Sequence, residues 1–232
     1  MSLRFAIYLV PPIGSALWNR GCHWLGRDPE TGAVYSPPRV PGFAADEIRA
    51  LTHMPRNYGF HGTLKAPFRL ARGVEEGEFL ERVGRLAGSL PVVTMPELRV
   101  DRLSDFLALC PVGTGVGAAV GALAARFVTE LDAVRAPIES DDRARRLASG
   151  LSARQQELLD RWGYPYVLEE FRFHMTLSGR LDAARAERLQ PWIEEWFAPA
   201  LAEPPEAVDI GVFMQRSANA EFMLHRRYGM TT

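Results

Sequence analysis

The segment FRFHMTLSG, residues 171–179, carries a histidine and a threonine two positions apart inside a run that otherwise reads as a buried strand. GFHGTLKAP, residues 59–67, repeats the arrangement, so Phe-His-x-Thr-Leu occurs once in each half of the chain. Successive side chains of a strand point to opposite faces. Phe171, Phe173, Met175 and Leu177 then share one face, and Arg172, His174, Thr176, Ser178 and Arg180 the other. In the first segment Tyr58, Phe60, Gly62, Leu64 and Ala66 fall together, opposite Gly59, His61, Thr63 and Lys65. Each strand is expected to present an imidazole and a hydroxyl side by side, their Cα atoms about 6.5 to 7 Å apart. Two such strands brought together would surround a small anion with two imidazoles, two hydroxyls and several positive charges. With 5 histidines in 232 residues, a double match to His-x-Thr-Leu arises by chance in about one shuffled sequence in several thousand.

The composition around these segments is that of a globular chain. At 232 residues, 47% hydrophobic and 24% charged, it can form one large domain or two small lobes with a shared core. The 27 basic and 28 acidic residues leave a formal charge of −1, so no global field recruits nucleic acid or an anionic membrane, and any anion must be gripped locally. No basic stripe interleaved with aromatics runs along the chain, which disfavours long nucleic acid as a partner. The opening MSLRFAIYLVPP has an apolar run cut off by Pro11 and Pro12. That run is too short for a signal peptide or a membrane span, so a cytoplasmic location without membrane association is expected. Cys22 and Cys110 lie far apart, without a CxxC pair or a ligand set, and read as buried reduced thiols.

Strand-like and helix-like periods alternate along the chain. Strands are expected at residues 3–10, 60–68 and 171–181, as a pair around Ser104 and Asp105, and as a terminal hairpin across RSANA. Helices are expected at 15–26, 44–52, 75–90, 115–136, 141–161 and 182–197, the last broken near Pro191. The second half echoes the first as strand with His-x-Thr, helix, then two strands. This pattern suggests a divergent duplication with one lobe over about residues 1–112 and another over about 113–232.

Competing sites are weaker. Neither motif contains HxH, HExxH or CxxC, so no metal and no cofactor are expected. GTGVGAAVG, within residues 112–121, resembles a dinucleotide loop but lacks a convincing βαβ unit and later acidic residue, and reads as a strand-to-helix linker. His23, His53 and His225 read as structural or surface histidines.

Paired His-x-Thr motifs, each followed by an apolar residue and one in each half of the chain, resemble the 2H phosphoesterase superfamily, which includes cyclic phosphodiesterases and RNA ligase-like proteins. RFAIYLVPP, YGFHGTLKAPF, WGYPYVLEEFRFHMTLSGRL and the terminal hairpin resemble, more narrowly, the branch encoded beside phosphonate-utilisation genes. The resemblance covers nearly the whole chain. It implies an α+β fold of two pseudo-symmetric lobes, each an antiparallel sheet with helices, whose motifs face a central cleft. It also implies metal-independent hydrolysis of a phosphodiester. The chain departs from the branch at Gly62 and Ala66, where bulkier residues are usual. Gly62 falls on the core face, so the departure bears on packing more than on chemistry.

The residues themselves agree with that chemistry. Cleaving a phosphodiester needs a base for the nucleophile and an acid for the leaving oxygen, and histidine can be either near neutral pH. His61 and His174 are the expected pair, with the assignment of base and acid left open. Thr63 and Thr176 would donate hydrogen bonds to phosphoryl oxygens. Lys65, Arg172 and Arg180 are candidates for neutralising charge. Tyr8, on the opposite phase from Phe5, Ile7 and Leu9, could reach the same cleft, as could Tyr166 just before the second motif. The expected protein is a 2H-type (cyclic) phosphodiesterase, a hydrolase of a small cyclic or linear phosphodiester in phosphonate metabolism. The alternative is a non-catalytic module that binds nucleotide or RNA ends in the same cleft. Oligomeric state is left open.

Overall fold

The computed structural model describes residues 3–113, 117–203 and 208–231. In chain order the elements are β1 (Arg4–Val10), α1 (Ala16–Leu25), α2 (Ala45–Leu51), α3 (His53–Tyr58), β2 (Gly62–Phe68), α4 (Glu76–Ala87), β3 (Leu98–Leu103) and β4 (Phe106–Pro111). There follow α5 (Ala118–Glu130), α6 (Ser140–Leu147), α7 (Ala153–Trp162), β5 (Met175–Thr176), α8 (Ala183–Ala202), β6 (Asp209–Gln215) and β7 (Met223–Tyr228). The fold is α+β. Its strands form one antiparallel sheet in the order β3-β4-β5-β2-β1-β6-β7.

That order interleaves the two halves of the chain. The β3/β4 hairpin of the first half pairs with β5 of the second, while the β6/β7 hairpin of the second half pairs with β1. The two motif strands are therefore neighbours in one sheet, joined at the antiparallel pair Gly62 and Met175. They do not face each other across a gap between two sheets.

The core explains why these strands hold together. Phe60, just before β2, is fully buried, stacks on Phe197 of α8 at 6.0 Å and lies over Gly21 of α1. A methyl group built at Gly21 would sit 2.2 Å from that ring, so only glycine lets α1 approach it. Elsewhere Phe79 of α4 packs on Phe5 and Phe68, 5.1 and 5.6 Å between ring centres. Arg27, just past α1, is 1% exposed and donates to the carbonyls of Arg56 and Phe222 at 2.9 Å. It also pairs with Glu221 at 3.3 Å. A buried charge is tolerable only with such partners, and this one ties the segment after α1 to α3 and to the approach to β7.

Four elements differ from expectation. The strand expected over 171–181 is only two residues long; just past it the Ser178 hydroxyl, in place of a backbone carbonyl, accepts from the Leu107 N–H at 2.9 Å. The helix expected over 141–161 divides into α6 and α7 at Gly150, which takes φ +80°, and Ser152 with Gln155 forms a capping box that starts α7. By contrast, α8 runs unbroken through Pro191 and Pro199. Its buried stripe of Ala186, Leu189, Ile193, Phe197 and Ala200 offsets the lost N–H groups. Finally, α3 was not expected from sequence; its Pro55 falls in the first turn, where proline is tolerated. Of the linker read over 112–121, residues 114–116 lie outside the described residues, and α5 begins at Ala118. Cys22 and Cys110 are free and buried. Among the described residues no helix is long and apolar enough to cross a membrane.

Gly62 sits where the two motif strands meet, and a Cβ there would lie 2.3 Å from the ring of Phe173. Gly62→Ala should therefore destabilise the protein by about 1 to 3 kcal/mol, as overpacking does. Urea unfolding measures this, and an unchanged midpoint would show that Phe173 moves aside at no cost.

Candidate active site

Gly59 takes φ +82°, a conformation open to glycine at little cost, and so turns its carbonyl toward the side chain two residues on. His61 Nδ1 lies 2.8 Å from that carbonyl oxygen, and His174 Nδ1 lies 2.8 Å from the carbonyl oxygen of Arg172. A carbonyl can only accept, so each Nδ1 carries the hydrogen and each Nε2 presents its lone pair. Both motifs thus hold the imidazole by the same contact, two residues back. His61 Nε2 is 3.2 Å from Thr63 Oγ1, which donates to it.

The pairing of Gly62 with Met175 brings the two motifs side by side in the sheet, and His174 stands near enough to His61 to act on its charge.

The environments of the two histidines differ. His61 is enclosed by aromatic rings: Tyr8 stacks on it at 3.6 Å and 19°, with Phe213 at 6.2 Å and Tyr58 at 6.4 Å. His174 meets the ring of Phe106 at 5.6 Å. Burial lowers the pKa of His61 from 6.5 to about 4; the Gly59 carbonyl opposes that shift, while His174 adds to it. His174 is also lowered, first by burial and against the Arg172 carbonyl. Both imidazoles are thus neutral at neutral pH, in the tautomer that offers Nε2.

The remaining sequence candidates distribute unequally. Tyr8 joins the site through its stack on His61, and burial, followed by the phenols of Tyr58 and Tyr164, raises its pKa. Lys65 is turned elsewhere. Two register slips between β1 and β2 break the alternation, so that Thr63 pairs with Tyr8 but Lys65 pairs with Ile7. Its ammonium, 3% exposed, donates to the Val128 carbonyl of α5 at 3.0 Å. Arg172 is exposed and contributes its backbone carbonyl to His174. Arg180 is exposed and pairs with Asp105 at 3.2 Å, while Tyr166 is exposed and packs edge-on to Tyr164 at 5.6 Å. The alternation pattern missed Tyr58, Phe106 and Phe213, which come from three other elements; the glycine two residues before His61 was a readable signal. Of the other histidines, His225 bonds Glu76 at 2.8 Å and His23 stacks on Tyr35 at 4.0 Å. Among the described residues no group of three or more His, Cys, Asp or Glu is placed to hold a metal ion.

A family described as "Protein of unknown function (DUF1045)" matches residues 63–223. A protein of Janthinobacterium sp. (strain Marseille) named ribose 1,5-bisphosphate phosphokinase PhnN is 40% identical over 209 residues, covering 89% of this chain and 46% of that protein. A protein of the same name from Laribacter hongkongensis (strain HLHK9) is 36% identical over 225 residues, 97% of this chain and 51% of that protein. The chain thus spans about half the length of these curated relatives. A crystal structure of a conserved protein of unknown function from Agrobacterium tumefaciens str. C58 aligns over 97% of this chain and 85% of that one, with 11% identity and a TM-score of 0.42. These names correct the expectation of a hydrolase. Both relatives are named as a phosphokinase, which transfers a phosphoryl group and does not deliver it to water; that name, carried by proteins about twice as long as this chain, contradicts the reading as a 2H-type (cyclic) phosphodiesterase.

Two titrations test the geometry. The His61 ring protons, followed by NMR, should titrate with a midpoint of about 4; an ordinary midpoint of 6.5 would contradict its enclosure. Lys65, the single lysine of the chain, has its pKa lowered from 10.5 to about 8 by burial. Between those values the unfolded chain holds a proton that the folded one has released, so this group adds stability as pH rises from about 8 to about 10.5. Lys65→Met should be more stable than wild type at pH 7, with an advantage on the order of 3 kcal/mol or less that shrinks as pH rises through that window. An advantage independent of pH would refute the buried-amine account.

Proposed function

The chain belongs to the DUF1045 family of proteins of unknown function, and from that premise we propose that its two His-x-Thr motifs together bind the phosphate of a small phosphorylated ribose and exchange protons with its oxygens. What carries this reading is the duplicated contact at the two histidines, 2.8 Å from Nδ1 to the carbonyl two residues back in both motifs. One such contact is commonplace. Two, on adjoining segments of one sheet and each with a threonine two residues on, provide hydrogen-bonding groups for several oxygens of a tetrahedral anion. Thr176, and Thr63 once its hydroxyl turns from His61 Nε2 to the ligand, donate to phosphoryl oxygens, and the exposed guanidinium of Arg172 supplies positive charge. Each Nε2, that of His61 after releasing the Thr63 hydroxyl, can take a proton from an attacking hydroxyl or, once protonated beside the anion, return one to a departing oxygen. That proton traffic is what phosphoryl transfer requires.

The relatives' name supports ribose phosphates as the ligand class and phosphoryl transfer as the reaction class, and its PhnN element supports a place in phosphonate metabolism. Descent of the paired motifs from the 2H arrangement belongs to the same proposal. This chain's part is the imidazole pair and not a lysine-based grip on a nucleotide, since its single lysine is buried against Val128. One observation favours a second reading, recognition without chemistry: both imidazoles are neutral, and neither holds the proton an acid must give.

Calorimetry with ribose 5-phosphate, together with phosphorus NMR in the presence of a nucleoside triphosphate, separates the two. If the site is catalytic, His61→Ala and His174→Ala should each lower turnover by about 10² to 10⁴-fold. Thr63→Val and Thr176→Val should cost about 10² to 10³-fold, and the double histidine variant should be little worse than the poorer single one. Binding that depends on both histidines, with no turnover by wild type, would select the recognition reading. Unchanged binding and turnover in variants that keep their circular dichroism would reject the site altogether.

A further inference from the structure

The two histidines are held by the same kind of contact, but the carbonyls that hold them are secured differently. The Gly59 carbonyl that accepts from His61 Nδ1 follows directly on α3, and the last turn of a helix leaves carbonyls without an intrahelical partner. Arg27, just past α1 and 1% exposed, reaches these carbonyls from below the site's backbone. Its Nε and Nη2 donate to the Arg56 carbonyl at 3.2 and 2.9 Å, and Nη2 also donates to the carbonyls of Asn57 at 3.4 Å and Phe222 at 2.9 Å. The Arg56 carbonyl accepts in addition from the Gly59 N–H at 3.1 Å. Hydrogen bonds thus run in series from the Arg27 guanidinium through Arg56 and Gly59 to the His61 ring.

Further contacts fix the same corner. The Phe222 N–H donates to the Asn57 carbonyl at 2.8 Å, and its ring stacks at 5.2 Å and 20° on Tyr58, itself 6.4 Å from the His61 ring. A Cβ at Gly59 would lie 2.7 Å from the Pro29 ring, so the Gly59 backbone is seated against the segment that carries Arg27. Glu221 pairs with Arg27 at 3.3 Å and with Arg56 at 3.6 Å. The carbonyl that holds His174 is that of Arg172, on the approach to β5, and belongs to none of these contacts.

We infer that Arg27 is a positioning residue for His61: by capping the end of α3 it fixes the Gly59 carbonyl, and through that carbonyl the tautomer in which His61 Nε2 carries the lone pair. This goes beyond the phosphate-binding reading, which names the groups that meet a ligand and not what holds them in place. A planar guanidinium can serve the carbonyls of Arg56, Asn57 and Phe222 together, whereas an ammonium is a single point charge. The dependence is mutual, since those carbonyls and Glu221 are what make a buried charge tolerable there.

The test reads the tautomers of both histidines by nitrogen NMR on the full chain without ligand, with His174 as the internal control. In wild type both rings should carry the hydrogen on Nδ1. Arg27→Lys, with charge but no fork, should move the His61 ratio of the two tautomers by about threefold to tenfold toward hydrogen on Nε2, the scale of one hydrogen bond, while His174 keeps its wild-type ratio. Glu221→Ala, at a side chain 40% exposed, should give a smaller shift in the same direction, and it carries the test if Arg27→Lys fails to fold. A folded variant with a lowered melting temperature and an unchanged His61 ratio would make Arg27 merely structural and overturn the inference. Equal shifts at His61 and His174 would overturn it too, because they would report general loosening. Calorimetry of wild type with ribose 5-phosphate is independent of these ratios: absence of binding would reject the phosphate reading, and the tautomers would still decide the role of Arg27.

Discussion

The backbone pairing of Gly62 with Met175 is the constraint on which the rest depends. It joins the first-half motif to the second-half motif in a single antiparallel register, and a slip of one residue would turn every paired side chain to the other face. The absence of a side chain at Gly62 makes room for Phe173, whose ring would collide with any Cβ there. Phe173 belongs to the second motif, so the first motif accommodates the second by omission. A single glycine thereby makes room where two motifs from distant parts of the chain meet.

Around that junction the sheet is assembled by exchange. Hairpin β3/β4 extends the sheet beyond β5, and hairpin β6/β7 extends it beyond β1, so each motif strand is flanked by structure from the other half. Both motif strands are interior, which satisfies their backbone groups and limits the motion of the residues they carry. Neighbouring strands and α3 then enclose the histidines unequally. His61 receives a stacked tyrosine and two further rings, whereas His174 receives one phenylalanine. Two nearly identical pentapeptides consequently become chemically distinct sites, and the difference comes entirely from elements that do not contain the motif.

Neutrality of the two imidazoles has a consistent origin. Each Nδ1–H is committed to a carbonyl, and burial penalises the charged ring. An anion held between the Nε2 atoms would oppose that penalty, because a nearby negative charge favours the protonated form. Ligand binding and proton uptake are thereby coupled through the same two atoms. This coupling is compatible with phosphoryl transfer and with recognition alone.

Local patterning determined much of this protein. The repeated Phe-His-x-Thr-Leu singled out the four residues proposed for the site, and the periods of two and of about 3.6 located most strands and helices, because both depend only on which residues fall on one face of an element. Buried free cysteines followed from the same local reasoning. Lys65 shows where it stops. Two register slips between β1 and β2 depend on how neighbouring strands fit, and they carried the lysine from the expected anion site to the Val128 carbonyl. The same holds for the interior prolines of α8, which survive because a buried stripe outweighs a local preference. It holds also for Tyr58, Phe106 and Phe213, which reach the histidines from three separate elements. The sequence by itself determined which groups could do chemistry. Tertiary structure decided which of them meet and in what protonation state, since distance and burial are properties of the packed chain and not of any segment of it.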